Sequence, residues 1–135
     1  ETGRERTGLE LNKWIDQVQK IGVGEIIVTD ISFEGRRKGF NINFYENLRK
    51  RVEVPLIAHG GAGPEENILE LFKTADVDGV SVASLFHYKY LVKETKNDLI
   101  GTNFYLKNFD FDNKTGLTVL ELKKYLSSKG VSVRI

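Results

Sequence analysis

Amphipathic helical segments alternate with short apolar runs along this chain, and the alternation limits the fold more than any other feature. The apolar runs span residues 25–29, 54–58 and 79–83 and are rich in β-branched side chains. Short runs that are apolar on both faces are typical of strands buried within a parallel sheet, whose strands need crossover helices between them. The sequence therefore predicts an α/β fold with three parallel strands and flanking helices, either as an open sheet or as part of a barrel.

Local signals predict where the helices begin. Thr7 with Glu10, and Thr118 with Glu121, have the spacing of a capping box, while Pro64 before two glutamates suits the first position of a helix. Gly22 and Gly24 end the first pattern. The predicted apolar faces are Leu11/Trp14/Ile15/Val18/Ile21, Phe44/Tyr45/Leu48, Ile68/Leu71/Phe72 and Val119/Leu122/Leu126.

The segment 88–116 interrupts this alternation. It contains no clear periodic pattern, and a connection of that length is unusual in a compact domain unless it is a lid, a binding loop or a mobile insertion. We predict one domain, residues 1–135, with an insertion at 88–116 in the last βα loop.

Composition excludes several classes of function. Lys and Arg total 20 against 19 Asp and Glu, so the net charge of +1 gives no electrostatic reason to expect a nucleic acid or membrane partner. The absence of cysteine excludes disulfides, thiolate nucleophiles and cysteine zinc sites. No apolar run approaches the roughly 18 residues of a membrane helix, and the charged start does not resemble a signal peptide. We expect a soluble, cytoplasmic protein.

No metal or other cofactor is predicted. Asp110, Asp112 and Glu121 occupy positions one, three and twelve of a calcium loop. Lys114 at position five and Thr115 in place of the required glycine do not fit that loop.

A glycine-rich tract at residues 58–63 lies between the second strand and the third helix. Glycines allow backbone N–H groups to approach an anion, and a helix amino terminus adds partial positive charge, so the tract suits phosphate. A tight turn that needs glycine dihedral angles is the alternative reading. Ala83 and Ser84 follow the third strand in the same way, and phosphate in βα-barrels binds between loops after the last two strands.

Four motifs at residues 4–9, 24–29, 55–63 and 82–87 then follow one another in the order and spacing of one known family. They resemble the C-terminal half of the cyclase subunits of imidazole glycerol phosphate synthase. The resemblance covers most of residues 4–88 and resumes at 117–135. The sister isomerase of histidine biosynthesis shares the barrel and phosphate loops, but the G-G-A-G tract and the A-S-L-F-H ending are more similar to the cyclase.

This resemblance implies the C-terminal portion of a TIM (β/α)8 barrel. The cyclase takes ammonia from a glutaminase partner and converts a phosphorylated ribonucleotide into imidazole glycerol phosphate and an aminoimidazole carboxamide ribonucleotide. Its acid and base are aspartates on the first and fifth strands, upstream of this chain, so the fragment alone is expected to be inactive. Three strands cannot close a barrel, and a missing N-terminal half or a second copy is expected to pair with them.

The resemblance also implies roles for individual residues. Substrate phosphate contacts fall on Gly35, Gly60, Gly61, Ala83 and Ser84; the active-site mouth falls on Thr29, Glu34 and His59; and Glu25 corresponds to a carboxylate of the ammonia gate.

Two departures from the family pattern leave the function open. Ser32-Phe33-Glu34-Gly35 stands where the family usually has D-x-D-G, and His59 stands where a serine usually precedes the glycines. The imidazole could be a general base, a phosphate donor or a neutral lining group. One alternative function is a paralogue that serves an amidotransferase in surface-sugar biosynthesis. The other is a non-catalytic phosphate-binding scaffold.

Overall fold

The computed structural model describes residues 5–87, residue 89 and residues 116–135. Its elements, in chain order, are α1 (Leu11–Ile21), β1 (Ile26–Thr29), α2 (Ile42–Arg49), β2 (Leu56–His59), α3 (Glu65–Ala75), β3 (Gly79–Ser81) and α4 (Val119–Ser128). The predicted alternation is confirmed, with β2 displaced towards the carboxyl end and β1 and β3 shorter than their apolar runs. The proposed insertion lies outside the described residues except at 89 and 116.

The three strands form one parallel sheet in the order β1-β2-β3, as the sequence predicts. Ile27 pairs with Ile57, and Ile57 pairs with Gly79, so these residues form one row across the sheet. Because side chains alternate between faces along a strand, this row and its neighbours two residues away share one face.

The other face of the sheet and the helices form the core. The sheet contributes Val28, which is 8% exposed, and Leu56 and Ala58, which are both 0% exposed. From the helices, the buried side chains include Ile15, Tyr45, Leu48, Ile68 and Leu71, and α2 packs against α3. Of the apolar face predicted for α1, only Ile15 is buried, while Trp14 is 45% exposed.

The helix ends agree with the sequence only in part. The capping box predicted at Thr7 and Glu10 is wrong: α1 starts after Glu10, which makes no side-chain cap, and Thr7 Oγ1 accepts from Leu9 N–H instead. Pro64 is the residue before α3, not its first helical residue. Gly22 ends α1 in the left-handed conformation, as its position predicts.

The chain divides into two compact units, Glu1–Ser81 and Val82–Ile135. In the second unit the capping box at Thr118 and Glu121 is confirmed, with both reciprocal hydrogen bonds formed. Leu122 and Leu126 are buried as predicted, but Val119 is half exposed, which corrects its place on that face. Lys89 Nζ lies 3.3 Å from a Glu121 carboxylate oxygen. No helix within the described residues is long and apolar enough to cross a membrane.

Candidate functional site

The carboxyl edge of the sheet carries a row of three polar side chains. β1, β2 and β3 end at Thr29, His59 and Ser81, and the strand register pairs Thr29 with His59 and His59 with Ser81. Alternation places this row on the same face as Ile27 and Ile57, away from the buried core. Thr29 and Ser81 are exposed and His59 is half-buried, so the row presents two hydroxyls and an imidazole at the sheet edge.

Thr29 and His59 are joined by a side-chain hydrogen bond. Thr29 Oγ1 lies 3.0 Å from His59 Nδ1. If the hydroxyl donates, the remaining ring nitrogen Nε2 carries the proton and is a donor; if Nδ1–H donates, Nε2 is an acceptor. In either tautomer the bond fixes the orientation of the ring and leaves Nε2 for another partner.

A buried tyrosine holds the strand ends from the core side. The Tyr45 hydroxyl lies 3.0 Å from the carbonyl oxygen of Val28 and 2.5 Å from that of His59, so its single proton is shared between the ends of β1 and β2. Burial raises the pKa of Tyr45 from 10.0 to about 12, which keeps the hydroxyl protonated as a donor. The Tyr45 hydroxyl therefore fixes the backbone at His59 relative to the end of β1.

The loop after β1 is organised around Asp30. Its carboxylate accepts from Ser32 N–H at 2.9 Å and from the Asn41 side-chain amide at 3.3 Å. Its backbone carbonyl accepts from the N–H groups of Phe33 and Glu34 at 3.1 and 3.0 Å. These bonds close the loop into a turn that carries the predicted mouth residue Glu34 as an exposed carboxylate.

The glycine tract after β2 packs tightly against that loop. Gly60 and Gly61 have φ values of 95° and 100°, in the left-handed region. A Cβ on Gly60 would lie 2.6 Å from the Asp30 carbonyl oxygen, and one on Gly61 would lie 2.5 Å from that of Gly39. Glycine is therefore required twice, by conformation and by close approach of the backbone.

The same tract holds backbone donors without acceptors. Gly61, Ala62 and Gly63 are buried, and no hydrogen bond is found for their N–H groups within the part of the chain that the structure describes. Buried backbone N–H groups are almost always paired with protein, water or a ligand. Three consecutive amides without an acceptor, just before the amino terminus of α3, are suited to an anion.

The remaining predicted residues lie at separate places. Gly35 is exposed in the loop after β1 with φ 73°. Glu25 is exposed directly before β1, at the amino end of the sheet and so opposite the glycine tract. Ala83 and Ser84 belong to the second unit, where a helical stretch begins at Ser84. Within the described residues, no group of acidic and histidine side chains could hold a metal ion.

Sequence reasoning missed three residues of this region, namely Asp30, Tyr45 and Ser81. Ser81 lay within a predicted strand, and only the register shows that it neighbours His59. Tyr45 was predicted as a core residue, and no sequence pattern indicates that its hydroxyl bridges two strand ends.

Comparison with known proteins identifies the family. A model of the family described as "Histidine biosynthesis protein" matches residues 1–91. The chain belongs to this family. It is 36% identical over 129 residues to the imidazole glycerol phosphate synthase subunit HisF of Escherichia coli, an alignment that covers 96% of this chain and 40% of the relative. The corresponding subunit of Clostridium botulinum is 39% identical over 98 residues, covering 72% of this chain and 39% of the relative.

A third member of the histidine biosynthesis family, the same subunit from Blochmanniella floridana, is 41% identical over 95 residues, which cover 70% of this chain and 37% of the relative. The resemblance to the cyclase subunits is thus confirmed. The chain spans about 40% of the length of the curated relatives that it matches.

Proposed function

We propose that this chain is the carboxy-terminal part of a cyclase-type lyase barrel that binds a phosphate monoester, imidazole glycerol phosphate or its ribonucleotide precursor, at the carboxyl edge of its sheet. The membership of the histidine biosynthesis family and the names of the relatives support the reaction. The cytoplasm is the compartment that we propose for it.

The three amides of Gly61, Ala62 and Gly63 carry this proposal. They belong to buried residues, have no acceptor among the described residues, and precede the helix α3, whose amino end adds partial positive charge. A phosphate monoester supplies the oxygen acceptors that these donors lack. Within the first unit, Gly35 and Gly60 are proposed as further phosphate contacts, and Thr29, Glu34 and His59 as the lining of the mouth. For Ala83 and Ser84, in the second unit, a phosphate contact is proposed on the family resemblance alone.

The open face of the sheet supports a barrel partner. Ile27 is 58% exposed on this face, and neither edge strand has a second neighbour in the three-stranded sheet of the described residues. An apolar sheet face and two unpaired edges are unfavourable in water. We propose that the remaining strands of the barrel, or a second copy of this chain, cover them.

Glu25 is the proposed contact with ammonia. It is exposed at the amino end of β1, at the opposite end of the strand from His59 and the glycine tract. A carboxylate there can hold ammonium that a glutaminase subunit releases, before the nitrogen passes along the sheet. The catalytic aspartates implied by the family resemblance lie outside these 135 residues, so this portion alone is proposed to bind ligand without turnover.

The test has two parts. The complete protein is titrated with imidazole glycerol phosphate, and the ammonia-dependent formation of imidazole glycerol phosphate is then assayed. We expect binding to be lost in Gly61→Ala and retained in Gly24→Ala, whose added Cβ would meet nothing within 4 Å. Binding that is unaffected by Gly61→Ala would contradict the phosphate site. Binding without turnover in the complete protein would favour a scaffold.

A second function is favoured by His59, which replaces the usual serine and is hydrogen-bonded to Thr29. An imidazole in the mouth would suit a different phosphorylated sugar, as in a paralogue that serves an amidotransferase of surface-sugar biosynthesis. Complementation of a strain that lacks the histidine-pathway cyclase separates the two: growth without histidine supports the cyclase, and failure despite ligand binding supports the paralogue.

A further inference from the structure

The polar row Thr29, His59 and Ser81 differs from the rest of its face. One row back along the strands, the same face carries Ile27, Ile57 and Gly79, which have no hydrogen-bonding side chain. Three polar side chains at one level, on three adjacent strands, are not needed to form a sheet. Strand propensity accounts for the β-branched Thr29 but not for His59 or Ser81. The row is therefore better explained by a ligand than by folding.

His59 is the central member of the row and has a fixed backbone. Its carbonyl oxygen accepts from Asp30 N–H at 3.0 Å and from the Tyr45 hydroxyl. Its side chain is held through Nδ1 by Thr29 at 3.0 Å, and among the described residues no hydrogen bond to Nε2 is found. A ring with one nitrogen held and one open is prepared for directional recognition.

The row also lies close to the proposed phosphate loop. The Cα atoms of His59 and Gly61 are two residues apart and so are separated by at most about 7 Å. A ligand whose phosphate meets the amides of Gly61 to Gly63 would place a group only a few bonds away beside the imidazole. This distance suits a phosphate monoester that carries a polar heterocycle or amide on a short carbon chain.

We propose that the row selects the non-phosphate end of the ligand. Nε2 of His59 makes the hydrogen bond to the ligand, and Thr29 is a positioning residue that fixes the ring and its tautomer. Ser81 completes the polar surface on the other side of the ring. This inference rests on the proposed phosphate-binding function. It assigns selectivity to side chains on the strands, whereas the phosphate is held by backbone groups of the loop.

Two ligands separate the two contributions. Imidazole glycerol phosphate contains both a phosphate and a heterocycle, and glycerol 3-phosphate contains only the phosphate end. Isothermal titration of the complete protein with each ligand would be compared for Thr29→Val, which removes the hydroxyl at nearly constant volume, and for Thr29→Ser, which keeps it. Thr29 is exposed, so neither change disturbs the core.

Thr29→Val is expected to weaken the binding of imidazole glycerol phosphate by about 3- to 10-fold, the effect of one hydrogen bond. It should weaken the binding of glycerol 3-phosphate by less than about 2-fold. Thr29→Ser, which keeps the hydroxyl, should bind imidazole glycerol phosphate as the unchanged protein does. His59→Ser should weaken the binding of imidazole glycerol phosphate only. The ¹⁵N shifts of the His59 ring should also change in Thr29→Val without ligand, as the tautomer is released.

The outcomes distinguish this inference from the function on which it rests. If Thr29→Val weakens the binding of both ligands equally, or of neither, the inference is overturned while phosphate binding stands. If the unchanged protein binds neither ligand, both the phosphate site and the selective row are rejected.

Discussion

The two faces of the sheet have opposite compositions and opposite exposures. The helix-covered face carries Val28, Leu56 and Ala58, all buried, whereas the open face carries Ile27 at 58% exposure and the polar row at its carboxyl edge. The first face accounts for the stability of the unit. The second contributes little to the core of this unit, and its polar residues are therefore better explained by binding than by packing.

The largest expected effect is a truncation on the covered face. Leu56 is fully buried, so Leu56→Ala should lower the free energy of unfolding by about 2–5 kcal/mol. Ile27→Ala on the open face should cost less than about 1 kcal/mol in this chain by itself. Urea denaturation measures both. In the complete protein, the cost of Ile27→Ala should rise if the rest of the barrel covers this face, and an unchanged cost would argue against that cover.

The glycine tract after β2 carries the proposed phosphate site. Gly61→Ala combines a left-handed φ of 100° with a Cβ 2.5 Å from the Gly39 carbonyl oxygen. We expect it to cost about 1–3 kcal/mol through backbone strain and to displace the amides that follow. Gly24→Ala is the matched control and should change stability by about 0.5 kcal/mol or less. Similar denaturation midpoints for the two variants would show that the tract is not tightly packed.

Tyr45 tests how firmly the core side fixes the polar row. Tyr45→Phe removes the hydroxyl that reaches the carbonyls of Val28 and His59, and it should cost about 1 kcal/mol. Because the pKa of Tyr45 is raised to about 12 in the folded chain, its contribution is complete below pH 10 and is lost as the pH rises from 10 to 12.

The midpoint of thermal unfolding of the unchanged chain should therefore fall across that alkaline range. In Tyr45→Phe it should fall less steeply. Absorbance at 295 nm should show a late-ionising component from Tyr45, which the variant lacks. Identical alkaline titrations of the two proteins would contradict the burial of this hydroxyl.

The smallest effect is expected at the outer surface of the helices. Arg51 holds Asp16 through two hydrogen bonds, of 2.7 and 2.5 Å, and this bonding lowers the pKa of the Asp16 carboxyl. Stability from this pair is present above the usual aspartate pKa and is lost as the pH falls below it. Arg51→Ala should shift the thermal midpoint less than Leu56→Ala, Gly61→Ala or Tyr45→Phe, because an exposed ion pair is screened by water and salt. A shift as large as that of Leu56→Ala would contradict this ranking.

The sequence predicted the elements better than their contacts. The period of the apolar residues was enough for the three strands, their parallel direction and the helices, because burial sets that period. The prediction of a Thr7 capping box was wrong because a threonine hydroxyl can also accept from the N–H two residues further on, as Thr7 does from Leu9. Glycine spacing indicated the tight loop after β2, for which phosphate binding stays a prediction, but the row through Ser81 depends on register between strands that are distant in sequence. That information is absent from local patterns.

The most direct test of the account is a crystal structure of the complete protein with imidazole glycerol phosphate. We expect phosphate oxygens within hydrogen-bond distance of the amides of Gly61, Ala62 and Gly63, and the heterocycle within reach of His59 Nε2 on the open face of the sheet. A ligand bound on the helical side, or a phosphate that contacts none of these amides, would contradict the assignment of the open face as the functional one.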